Sequence, residues 1–130
     1  MCLIVERPEA MPILRRKTAV TVLLPVLNEE LNLPAALASV GWADQVIVVD
    51  SHSTDRTAEI ARAAGAEVVQ FDYAGGGPKK KGWALAHAPF RNDWVLVLDA
   101  DERVTNAMRA EVEEAIRRGE RDAYYIDREF

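Results

Sequence analysis

The stretch Asp93-Trp94-Val95-Leu96-Val97-Leu98-Asp99-Ala100-Asp101-Glu102 decides how the rest of the chain is read. Its apolar run, Val95 to Leu98, is unbroken and ends in two carboxylates spaced Asp-x-Asp. Bulky apolar residues without alternation predict a strand covered on both faces, as in the middle of a parallel sheet. The carboxylates then fall just past its carboxyl end, where open α/β sheets bind their ligands. Residues two apart in an extended chain point the same way, so Asp99 and Asp101 could face one divalent cation. A hard cation such as Mg²⁺ is held by one or two carboxylates together with substrate phosphates. The plainer alternative is that both acids end a strand and cap the turn after it.

Outward from this stretch, strand and helix signals alternate. Ala19 to Leu24 is β-branched and apolar and stops at Pro25, which predicts a first strand. Leu33, Leu37 and Val40 recur at helical spacing, with a start near Asn32 because Pro34 fits only a first turn, and with Gly41 as the stop. Gln45 to Asp50 is a second buried strand ending in an acid, followed by the polar turn Ser51-His52-Ser53-Thr54-Asp55. A helix from Arg56 to Ala64 ends at Gly65, and Ala66 to Phe71 is a third strand. A loop through Gly75-Gly76-Gly77 leads to a helix over Lys79 to His87, and the opening strand is fourth. Thr105 caps a last helix whose stripe is Met108, Val112, Ala115 and Ile116, ended by Gly119, and Ala123 to Ile126 begin a fifth strand. Such alternation predicts an α/β, Rossmann-like, mainly parallel sheet with helices on both faces. Residues Pro25 to Glu29, Asp50 to Asp55 and Asp99 to Asp101 then share one edge of it.

The 130 residues, 49% hydrophobic with net charge -5, are enough for one core. Met1 to Lys17 carry two prolines and no sustained period, so residues 1–17 read as a mobile leader and Thr18 begins the domain. The mild acidity leaves no basic field for nucleic acid. A single cysteine, Cys2, excludes an internal disulfide. No apolar run approaches the roughly 18 residues of a membrane span, and no secretory signal is present. The expected location is cytoplasmic; Arg15-Arg16-Lys17 is a cluster that could touch anionic headgroups at the inner face of the membrane. His52 and His87 lack ligand-spaced partners, and Trp42, Trp83 and Trp94 read as packing residues.

The first strand is followed by neither G-x-G-x-x-G nor a P-loop, which counts against dinucleotide and P-loop folds. A phosphate-receiving regulatory domain would carry an acid pair where this chain has Pro-Val-Leu-Asn-Glu. The blocks that are present are Leu24-Pro25-Val26-Leu27-Asn28-Glu29-Glu30, Val48-Val49-Asp50-Ser51-His52-Ser53-Thr54-Asp55-Arg56-Thr57 and Leu98-Asp99-Ala100-Asp101-Glu102. Together they resemble the nucleotide-binding half of a family-two glycosyltransferase, an inverting enzyme of the GT-A fold that uses nucleotide-diphosphate sugars. The resemblance covers residues 18–130. Gly77-Pro78-Lys79-Lys80 through Leu85 adds a similarity to the branch acting on lipopolysaccharide core and other bacterial surface glycans.

The resemblance implies roles. Asp99 and Asp101 resemble the family's Asp-x-Asp motif, with Asp99 touching the donor and both touching Mg²⁺ or Mn²⁺. Pro25, Asn28 and Glu29 resemble donor-nucleoside contacts, and Asp50 with Ser51 resembles the acidic turn beside the base or ribose. Capping is the alternative for Asn28 and the favoured reading for Asp55. Of Lys79, Lys80 and Lys81, at most one or two can face the diphosphate because neighbours on a helix diverge; Lys80 is the candidate. Two departures stand out: His52 replaces a common Gly, so that turn must tolerate a Cβ or change shape, and Gly82 replaces a common Asn. No residue after Glu102 resembles the family's general base, which predicts a domain truncated on its C-terminal side, with the base beyond Phe130. The acceptor implied is a glycan or a lipid-linked sugar. Uncovered apolar surface near Tyr124, Tyr125 and Phe130 predicts self-association. The rivals are a binding-only module and a nucleotidyltransferase, the latter lacking its expected glycine- and basic-rich loop.

Overall fold

In a computed structural model that describes residues 17–72 and 79–119, strand and helix alternate throughout. The order is β1 (Thr18–Val26), α1 (Leu33–Ala38), β2 (Ala43–Asp50), α2 (Thr57–Ala63), β3 (Glu67–Gln70), α3 (Lys80–His87), β4 (Val95–Val97) and α4 (Asn106–Arg118). The leader up to Arg16, the glycine loop and the expected fifth strand, with Tyr124, Tyr125 and Phe130, lie outside the described residues.

All strand pairs are parallel, in the order β3-β2-β1-β4. The sheet is therefore the doubly wound one the alternation predicts. Side chains alternate across it with the strand period. Val20, Val22, Leu24 and Val26 of β1 pack with Leu33 and Leu37 of α1, Ala61 of α2 and Val112 of α4. Leu23, Ile47 and Val49 face the other way, onto Phe71 and onto Ala84 and Trp83 of α3. Helices thus cover both faces. Leu23, Leu24, Ile47, Val48 and Val49 are fully buried, each contributing about 1.5–3 kcal/mol of transfer free energy.

Local signals set the helix ends. The Thr105 hydroxyl accepts from the Met108 N–H at 3.1 Å, capping α4 as its position predicts. At the end of α2, Gly65 adopts φ +87°, its N–H reaches Arg62 O at 3.0 Å and the Ala66 N–H reaches Ala61 O at 3.0 Å. That pair of bonds is a Schellman motif, which needs a residue free to be left-handed.

One expectation needs correcting. β4 is not covered in the middle of the sheet: among the described residues it pairs only with β1, so Val95, Leu96 and Val97 are half-buried. The strand β1 also runs two residues past the expected Leu24, through Pro25 to Val26, with Pro25 opposite Val49. The bonds Thr21 N–H to Trp94 O (2.9 Å) and Leu98 N–H to Leu23 O (2.9 Å) put the odd-numbered backbone groups of β1 towards β4. Pro25 would donate the next bond in that series and has no N–H. The ladder to β4 stops there, and the chain after Leu98 is released to turn.

The amino edge of the sheet is closed by a polar network around Gln45, which is 4% exposed. Its carbonyl accepts from the Thr21 hydroxyl (2.7 Å) and the Arg91 N–H (2.8 Å), and its amide donates to Pro89 O (3.0 Å) and Glu67 Oε1 (3.0 Å). This pins the α3–β4 connection under β2. A cavity of about 260 Å³ lies on this edge, lined in part by Lys17, Asp44, Glu67 and Arg91, at the opposite end of the sheet from the paired acids.

Candidate functional site

At the carboxyl edge, β1 lies between β2 and β4, so the residues that follow each strand form adjoining banks. The bank after β1 is locked to the bank after β2 by bonds running both ways. The backbone N–H groups of Asn28, Glu29 and Glu30 donate in turn to Ser53 Oγ (2.8 Å), Thr57 Oγ1 (2.9 Å) and Asp55 Oδ2 (3.3 Å). In return, Asn28 Oδ1 accepts from the Thr54 N–H (2.8 Å) and Glu30 Oε2 from the Arg56 N–H (3.2 Å). This clasp requires Asn28 at φ +50°, a left-handed conformation that asparagine tolerates better than most residues.

Asn28 is therefore a loop brace, not the cap of α1, whose N-cap is Asn32. Asp55 does serve the start of α2. Its Oδ1 accepts from the Thr57 N–H at 2.9 Å and from the Thr57 hydroxyl, and that hydroxyl is the main reason its carboxyl sits below the usual range.

Asp50 is 1% exposed, and its charge is met by neighbours. Ser53 donates to it from its N–H (3.2 Å) and hydroxyl (2.5 Å), and Gln70 Nε2 donates at 2.9 Å. Lys80 Nζ reaches over the end of β1 to Val26 O at 2.6 Å. Burial pushes the Lys80 ammonium below its ordinary pKa, opposed by the nearby Asp50 carboxylate. Pro25 is the next-to-last residue of β1, and Ser51 donates its N–H to Val26 O at 3.2 Å.

His52 resolves the turn question in favour of a tolerated Cβ, since it adopts φ +52°. Its N–H donates to Gln70 Oε1 at 3.1 Å, and its Nε2 lies 2.5 Å from Asp72 Oδ1. Gly82 lies inside α3, where an added Cβ would meet nothing within 4 Å.

Past β4, the chain turns at once: the Glu102 N–H donates to Asp99 O (2.9 Å), and the Asp99 N–H to Glu102 Oε1 (2.8 Å). Asp99, Asp101 and Glu102 thereby present carboxylate oxygens within 4.8 Å of one another. The turn, and not the two-residue period of an extended strand, brings Asp99 and Asp101 together, and it adds Glu102. Three hard oxygen donors at this spacing fit Mg²⁺ or Mn²⁺. Lys81, rather than Lys80, meets this bank, with Nζ 3.1 Å from Asp99 Oδ1. Two lysines from one helix start thus face the edge, each toward a different acid.

Sequence reasoning assigned no role to Glu102, Ser53 or Gln70, and of the three lysines it weighed it favoured Lys80 over Lys81. Glu102 adjoins the Asp-x-Asp pair, so its signal was present. Gln70 enters through the pairing Asp50↔Gln70 between β2 and β3, which only the register reveals.

A family model described as "Glycosyl transferase family 2" matches residues 21–129. An uncharacterized glycosyltransferase of Rickettsia bellii is 39% identical over 98 residues, which cover 75% of this chain and 32% of that protein. One from Mycobacterium tuberculosis is 45% identical over 84 residues, covering 64% of this chain and 37% of it. This chain thus spans about a third of the length of the curated relatives it matches. Among solved structures, residues 1–349 of S. aureus TarS in complex with UDP are similar with a TM-score of 0.59 at 27% identity, over 76% of this chain and 32% of that one. Glucosyl-3-phosphoglycerate synthase from M. tuberculosis, in complex with Mn²⁺, UDP and glucosyl-3-phosphoglycerate, matches with a TM-score of 0.50 at 30% identity, over 69% of this chain and 36% of that one. No helix among the described residues is long and apolar enough to cross a membrane.

Proposed function

The chain belongs to glycosyl transferase family 2, and we propose that residues 18–130 supply the donor-binding part of an inverting glycosyltransferase. The observation that carries the reading is the juxtaposition of two acidic banks on either side of β1: buried Asp50 after β2, and Asp99, Asp101 and Glu102 after β4. A nucleotide-diphosphate sugar needs a polar acceptor for its nucleoside and compensation for its phosphates, and the edge offers both chemistries.

In this reading Asp50, with Ser51, Pro25, Asn28 and Glu29 around it, receives the nucleoside. Asp99 and Asp101, joined by Glu102, would hold Mg²⁺ or Mn²⁺, which would supply Lewis-acid compensation for the charge of the diphosphate. Lys80 and Lys81 add positive charge to the same edge. The clasp holds the Asn28–Glu29 loop against the turn that follows Asp50 before the donor arrives, which limits the ordering cost of binding. No described carboxylate is assigned as the base for the acceptor hydroxyl. The acceptor, a glycan or lipid-linked sugar at the cytoplasmic face of a bacterial membrane, follows from the family resemblance alone.

Calorimetry with UDP, GDP and dTDP, with and without Mn²⁺, tests the donor site. Metal-dependent binding of at least one is expected, and a folded sample that binds none would sink the proposal. Loss of a group that merely supports a metal ligand costs about 10–100-fold, so Asp99→Asn and Asp101→Asn should each weaken the metal–nucleotide complex at least about tenfold.

A further inference from the structure

Asp99, Asp101 and Glu102 each place a carboxylate oxygen within 4.8 Å of the others, a crowding of like charge that a nearby cation relieves. The fold supplies one. Lys81 Nζ sits 3.1 Å from Asp99 Oδ1, with the lysine side chain 52% and the aspartate side chain 39% exposed. Lys80, next to it on α3, is committed elsewhere, to Val26 O at 2.6 Å. Meanwhile the Asp99 N–H is bonded to Glu102 Oε1, so the turn carries a hydrogen bond of its own.

We propose that Lys81 is an internal counter-ion that competes with the divalent cation for Asp99, and that it exchanges this carboxylate for an anionic ligand when the metal binds. The proposal rests on the donor-site reading above and adds a coupling to it. A metal entering alone must displace an ammonium and leave it unpaired. Entering with a diphosphate, it leaves the ammonium a new partner of opposite charge. Lys81 therefore disfavours the free metal and favours the metal–diphosphate pair, so that the two are taken up together. By this account Lys81 is a positioning residue, and no bond is made or broken through it.

The test is titration of the full 130-residue chain and of Lys81→Ala with MnCl₂ alone and with MnCl₂ plus UDP, at low ionic strength. Exposed ion pairs contribute little, so a modest effect is expected: Lys81→Ala should bind Mn²⁺ alone about two- to fivefold more tightly. The enhancement of Mn²⁺ affinity by UDP should shrink by a similar factor. Lys79→Ala removes the same charge from an exposed residue two positions earlier and should change neither quantity. Equal tightening in Lys79→Ala would reduce the effect to a general field and overturn the exchange, as would a Mn²⁺ affinity indifferent to Lys81. Absence of Mn²⁺ binding in all of these proteins, alone and with UDP, GDP or dTDP, would instead overturn the donor-site reading, and this proposal with it.

Discussion

Thr57→Val removes one hydroxyl from the centre of the clasp and keeps the side chain's shape. Thr57 is fully buried. Its Oγ1 accepts from the Glu29 N–H at 2.9 Å and donates to Asp55 Oδ1. Valine leaves Asp55 its bond from the Thr57 backbone N–H, but leaves the Glu29 N–H without an acceptor. A half-buried donor stranded in this way costs about 1–3 kcal/mol, and the exchange of hydroxyl for methyl in a packed site gives little of it back. The expected loss is about 2 kcal/mol in urea unfolding, seen as a lower midpoint with an unchanged slope. Thr57→Ser keeps the hydroxyl and loses only a methyl group, so it should cost less than Thr57→Val. The reasoning fails if serine is the more damaging change, because packing and not hydrogen bonding would then hold the loop. It also fails if valine shifts stability by less than about 0.5 kcal/mol, the scale of an ordinary surface change.

Three further outcomes follow from the same geometry. His52→Gly should leave stability unchanged or raise it by up to about 1 kcal/mol, since glycine relieves the φ +52° conformation and the exposed His52–Asp72 contact contributes little; a clear loss on thermal unfolding would contradict this. Gln45→Leu should cost about 2–3 kcal/mol in urea unfolding, because the Pro89 carbonyl and Arg91 N–H lose their buried partner, and a neutral result would show that the amino-edge network is dispensable. Asp44 and Asp55 have carboxyls held below the usual range, Asp44 chiefly by its hydrogen bond from Asn92 and Asp55 chiefly by the Thr57 hydroxyl. A lowered folded pKa gives stability that is present above the unfolded value of about 3.9 and lost as pH falls through the folded one. Urea midpoints should therefore drop below about pH 4, and the drop should be smaller in Asp55→Asn; identical profiles would refute the assignment.

The sheet was legible because apolar runs and turn residues are local signals that survive in one dimension. Ala19 to Leu24 and Gln45 to Asp50 read as strands, Gly65 and Thr105 read as helix ends, and each takes the role its residue type favours. What could not be read was side-chain aim. Lys80 and Lys81 are equivalent as text, yet a rotation of about 100° per residue on a helix sends one to β1 and the other to Asp99. The half-burial of β4 was also invisible, since an apolar run states what a strand could bury and not how many neighbours it has. Pro25 was read as a stop for its own strand. Its effect falls instead on the neighbouring ladder, because a missing N–H is felt on the side to which it would have pointed.

The clasp also constrains how this edge can change over generations. Its bonds tie main-chain donors of one loop to side chains of the other, so a substitution at Ser53, Asp55 or Thr57 is paid for at Asn28, Glu29 or Glu30. Those donors are main-chain groups that any residue but proline supplies, so the demand for an acceptor rests on Ser53, Asp55 and Thr57 alone. Leu27 and Leu31 flank the clasp with side chains that take no part in it, 54% and 91% exposed. They are the positions at which this surface can acquire new preferences one residue at a time, while the frame beside them stays as it is.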